Sequence, residues 1–129
     1  MFPKSSDTIT RVLARYEKVN FAYLFGSSAG FDAAHARDVD VAVYLNERDR
    51  KARNDIKLEL YVALSRSLNT NEVDILVLND AENLILLHEI VLNGIVLLDR
   101  DLDFRLHFEQ RILHSAIDFR ENRRAMMGI

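Results

Sequence analysis

Apolar and polar positions alternate between two rhythms along this chain. Ile9, Val12, Leu13 and Tyr16 recur at helical spacing behind Ser5, Ser6, Asp7 and Thr8, which offer an N-cap, so a first helix is expected there. "FAYLF", Phe21 to Phe25, is a short apolar run stopped by Gly26, and "VDVAVYL", Val39 to Leu45, is a second; both predict buried strands. Between Asp49 and Leu68 the residues Ala52, Ile56, Leu60, Leu64 and Leu68 fall on every fourth position among charges, the stripe of a helix lying on a sheet, ended by Asn69 to Asn71. "VDILVL", Val73 to Leu78, repeats the strand character. Leu84, Leu87, His88 and Val91 mark a short helix closed by Gly94, and "IVLL", Ile95 to Leu98, is a further short strand.

From Leu102 to about Met126 the chain reads as one long helix without interior Gly or Pro. At about 100° per residue it carries two apolar stripes. Leu102, Leu106, Leu113 and Ile117 form one; Phe104, Phe108, Ile112 and Phe119 form the other, while His107, Arg111 and His114 fall on a polar side. One stripe suffices to pack the helix on its own sheet, so the second, Phe104, Phe108, Ile112 and Phe119, is assigned to a protein partner. The fold class is α/β (α+β): a small mixed sheet of three to four strands flanked by helices, with a long C-terminal helix.

Length and composition narrow the function classes. At 129 residues the chain is expected to be one domain, 1–129, with one core. A net charge of -3 gives no global field that would draw it onto nucleic acid or an anionic membrane, so direct nucleic-acid binding is not expected. The mixed-sign run "NERDRKARND", Asn46 to Asp55, reads as a solvated helix start. The absence of cysteine removes disulfides and thiolate metal sites and suits a reducing cytoplasm. No stretch is apolar for long enough to span a membrane.

The chemistry concentrates at one end of the predicted sheet. Asp38 and Asp40 open the second strand and, two residues apart, share a face at roughly 6 to 7 Å. Two like charges there have no packing reason, so a cation beside them is the economical account, and hard oxygen ligands suit magnesium. Asp74, second in the next strand, is expected beside them. Gly26, Ser27 and Ser28 end the first strand; alone they read as a plain turn, and they also suit a site where glycine permits close backbone approach and N–H groups with serine hydroxyls hold phosphate oxygens.

The combination of a strand, Gly-Ser, an 11-residue step from Ser27 to Asp38, Asp-x-Asp opening a strand and a third Asp on the next resembles the DNA polymerase β-like nucleotidyltransferase superfamily. Within it the whole chain, including "HEIVLNGIVLLDRDLDFRLHFEQRILHSAIDF", is similar to the minimal nucleotidyltransferase (MNT) antitoxins of HEPN/MNT toxin–antitoxin systems. The resemblance implies a small cytoplasmic antitoxin that transfers AMP from ATP to a tyrosine of a cognate HEPN RNase toxin, releasing pyrophosphate. It matches Gly26 and Ser27, with Ser28, to the triphosphate-binding Gly-Ser, Asp38 and Asp40 to the metal pair, and Asp74 to the third carboxylate. Two Mg2+ ions would assist the transfer, and Asp74 would complete a metal site or take the hydroxyl proton.

The match departs from the family in one loop. Members commonly read Gly-Ser-x-Ala-Arg-Gly, whereas Gly30 and Phe31 replace the last two here, and Arg37 replaces the Ser before the first metal-binding Asp. A cationic phosphate contact is lost; Arg37 either supplies it from the other side of the pocket or is a solvated loop residue. The alternative function is an antitoxin that acts by direct binding without catalysis. A small-molecule nucleotidyltransferase is disfavoured because such enzymes carry an extra domain for the acceptor.

Overall fold

The structure is a computed structural model that describes residues 5–26 and 38–127, with side chains described for 6–26 and 38–115. Four strands, β1 (Val19–Phe25), β2 (Val39–Leu45), β3 (Val73–Val77) and β4 (Ile95–Asp99), form one mixed sheet in the order β3-β2-β1-β4. β1 lies antiparallel to β2 and β4, and β2 runs parallel to β3 through the crossover helix α2 (Arg50–Leu68). Alternation along the strands divides the core between the two faces. Val19, Ala22, Leu24, Val41, Val43, Val73, Ile75 and Val77 meet Ile9 and Leu13 of α1 (Ser5–Ala14) and Leu60 and Leu64 of α2. On the other face Phe21, Tyr23 and Ala42 meet Leu87 and Ile90 of α3 (Leu84–Asn93) and Phe108 of α4 (Leu102–Met127).

Element ends follow local chemistry. Ser5 to Thr8 form the first turn of α1 rather than a cap ahead of it, with Asp7 near the positive end of the helix. α2 starts where the Asp49 carboxylate accepts from the Ala52 N–H at 3.2 Å, and it stops at Asn69, whose φ of 53° is left-handed. Asn83 caps α3 through the Leu86 N–H, and Gly94 closes it. β1 begins two residues before its apolar run, because Asn20 is buried in the sheet and donates to the Asn46 side chain at 3.2 Å. β3 ends one residue early, in a 3-10 turn at Leu78–Asp80. There Asn79 takes the place of a neighbouring strand, accepting from the Leu45 N–H and donating to the Leu45 carbonyl, both at 2.9 Å.

The stripe assigned to a partner is the one that packs on the sheet. Phe108 is 6% exposed, Ile112 lies against the same cluster, and Phe104 packs its ring on Tyr44 and Phe21 at 5.1 and 6.2 Å. The reason is chemical matching: the sheet face beneath α4 is aromatic, and Phe21, Tyr44, Phe104 and Phe108 form one ring cluster. The Leu stripe faces outward instead, with Leu102 54% and Leu106 47% exposed. The Phe119 side chain lies outside the described residues. α4 is fastened further by Glu109, which accepts from the Tyr23 hydroxyl at 2.6 Å and from Arg105 at 2.7 Å, while Arg105 also reaches Asp99 of β4 at 2.8 Å. Burial, and then the Glu109 carboxylate, push the Tyr23 hydroxyl well above its ordinary value. No helix among the described residues is long and apolar enough to cross a membrane.

Candidate active site

The parallel register of β2 and β3 sets Asp40 directly beside Asp74. Asp38 lies just ahead of β2, two residues before Asp40, and completes the acidic end of the sheet. By strand alternation these carboxylates share the aromatic α3/α4 face of the sheet, with Val39, Val41 and Val43 on the opposite one. The apolar remainder of β2 lies between β1 and β3 and fixes the backbone from which the carboxylates project.

The electrostatics are unfavourable without a cation. Burial, and then the negative charges of Asp74 and Asp38, raise the Asp40 carboxyl above its usual value of 3.8. A divalent cation would relieve that repulsion, so the donor set fits magnesium. Among the described residues no three carboxylates or imidazoles converge into a ready-made metal cage. Magnesium does not require one, since one or two carboxylates plus substrate phosphates and water complete its shell.

Gly26 closes the site on the β1 side. Its φ is +71°, and a Cβ there would stand 2.4 Å from Asp40 Oδ2, so only glycine lets the end of β1 pass this close to the carboxylate. Phe25, the preceding residue, pairs with Asp40 across the strands. Ser27 and Ser28, with Gly30, Phe31 and Arg37, lie outside the described residues. Next to the carboxylates is a small cavity of about 280 Å3 lined by Asp38, Asn71, Glu72, Val73 and Asp74. Asn71 and Glu72 were not singled out in the sequence; the available signal was that Glu72 stands two residues before Asp74, and the Val39 N–H donates to its carbonyl at 2.8 Å, bringing that loop against the start of β2.

Paired carboxylates at one end of a mixed sheet, with a glycine against one of them, suit metal-assisted nucleotidyl transfer, and comparison with known proteins points the same way. Three solved structures share the fold over nearly the whole chain. A toxin–antitoxin MntA–HpeT complex carrying a double Asp-to-Glu mutation matches at TM-score 0.73 and 24% identity, covering 95% of both chains. A tri-AMPylated Shewanella oneidensis HEPN toxin in complex with MNT antitoxin matches at 0.68 and 25%, covering 96% of this chain and 93% of that one. A toxin–antitoxin with AMP-PNP matches at 0.71 and 26%, covering 95% of each. No curated protein is a significant match by sequence. The family model Polymerase beta, Nucleotidyltransferase matches residues 7–103, which include all three carboxylates and Gly26. The chain belongs to that family and is a nucleotidyltransferase.

Proposed function

We propose that this chain, as one minimal nucleotidyltransferase domain, is an antitoxin that transfers AMP from ATP to a tyrosine of a cognate HEPN-domain toxin. The observation that carries the reading is the Asp40–Asp74 register beside Asp38, with Gly26 held open against Asp40. Similarity to an MNT antitoxin seen with its AMPylated toxin, and to a toxin–antitoxin bound to AMP-PNP, supports the acceptor and the nucleotide.

In this reading Asp38 and Asp40 would hold magnesium, two ions in all, and the backbone at Gly26 with Ser27 and Ser28 would hold the triphosphate. Charge on the α-phosphate and the departing pyrophosphate is neutralised by the metal when bound. The tyrosine oxygen attacks the α-phosphorus as the bond to the bridging oxygen of pyrophosphate breaks. Asp74, exposed beside Asp40 in the parallel register, either completes a metal site or takes the hydroxyl proton. The aromatic face beneath α3 and α4 keeps the carboxylate backbone rigid, and α4 forms part of the surface the toxin meets.

Co-expression with a cognate HEPN-domain toxin tests this. The intact chain should relieve growth arrest, and Asp38→Asn with Asp40→Asn should not, although the variant is still folded and expressed. Protection by that double variant would instead assign neutralisation to binding alone.

A further inference from the structure

A second cavity lies away from the carboxylates. It is a groove of about 900 Å3 at the opposite end of β2, with Tyr44, Phe104, Arg48 and Arg111 among its lining. Tyr44 stands four residues beyond Asp40 on the same sheet face, roughly 13 Å along the strand. One wall is the β2–α2 loop. It is held in shape by Arg53, which donates to the carbonyls of Glu47 and Arg48 at 2.9 and 2.8 Å and is itself pinned by Asp80 at 3.1 Å. The other wall is α4, and the ring pair Tyr44–Phe104 lies between them.

The charges of this groove are unbalanced. Arg53 is matched by Asp80, and Glu47 lies 3.8 Å from Lys18. Arg48 and Arg111 project from opposite walls, both exposed, and neither side chain has a partner among the described residues. On a chain of net charge -3 this is a local positive groove with an aromatic floor. The lining combines two exposed arginines with the aromatic rings of Tyr44 and Phe104, and no glycine is part of it, which suits an acidic segment bearing apolar side chains better than a compact phosphate.

We infer that this groove docks an acidic, aromatic- or aliphatic-bearing segment of the protein acceptor, and so positions the acceptor hydroxyl at the carboxylates further along the same face. The inference rests on the reading above that the acceptor is a protein. Arg48 and Arg111 are positioning residues: they set affinity for the acceptor and its salt dependence.

Calorimetric titration of the full chain with a cognate HEPN-domain toxin, at about 0.05 M and 0.5 M salt, tests it. Arg48→Glu with Arg111→Glu should raise Kd about tenfold or more at low salt and remove most of the salt dependence. Arg48→Lys with Arg111→Lys should keep much of both, and Asp38→Asn with Asp40→Asn should bind as the intact chain does. Unchanged affinity and salt slope in a folded charge-reversed chain, or in Arg111→Glu alone should the double variant not fold, would overturn the groove. So would arginine-dependent binding of ATP by the Asp38→Asn/Asp40→Asn chain, which would make the occupant a nucleotide. Arginine-dependent binding without any AMP transfer by the intact chain would uphold the groove and remove the transferase reading; transfer at unchanged KM by the charge-reversed chain would do the opposite.

Discussion

At Gly26 the backbone and the Asp40 carboxylate compete for the same space. Gly26→Ala should cost about 1 to 2 kcal/mol from its positive φ alone and push Asp40 out of place, read as a lower Tm together with loss of AMP transfer. Asp40 itself carries a stability penalty. Its carboxyl is raised in the fold, so the protein is favoured with Asp40 protonated, and that contribution is lost as pH climbs past the ordinary carboxylate range. Asp40→Asn should therefore raise Tm at neutral pH, with the difference closing as pH falls toward the unfolded value of 3.8; magnesium should raise the Tm of the intact chain and leave the variant unmoved. The three carboxylates were legible in the sequence because acidic residues opening two apolar runs contradict their packing. The Gly26–Asp40 contact was not, since the sequence contains no distance between residues on different strands.

Individual elements show where periodicity suffices and where it stops. α2, α3 and β2 are readable within a residue because a stripe or an apolar run is bounded by Asp49, Asn69, Asn83 and Gly94, each with a capping or turn role. β1 hid its start behind Asn20, a polar residue buried by a partner on another loop, and β3 hid its end in the Asn79 bridge. Asn79→Ala should leave the Leu45 N–H and carbonyl without partners and cost about 1 to 3 kcal/mol, read as a lower urea midpoint at an unchanged slope. For α4 the two apolar stripes were evident, yet which one met the sheet depended on the aromatic residues of β1 and β2 gathering on one face. Spacing along a helix says nothing about what waits opposite it.

The whole molecule divides its work between two ends of one sheet face: acidic where Asp38, Asp40 and Asp74 gather, cationic and aromatic where α4 meets the β2–α2 loop. The sheet core and the helices on both faces hold these ends at a fixed separation, which is what a reaction between a nucleotide and a residue of another protein requires. That separation was invisible in the sequence, because Arg48 sits in a mixed-charge run and Arg111 on a polar helix side, and neither stands out until the fold places them across one groove. The intact mass of a cognate HEPN-domain toxin after incubation with this chain, ATP and magnesium decides whether the paired carboxylates transfer AMP. Mass gains in whole AMP increments are expected with the intact chain and none with Asp38→Asn/Asp40→Asn; an unmodified toxin in a stable complex with the intact chain would rule transfer out and leave neutralisation by binding alone.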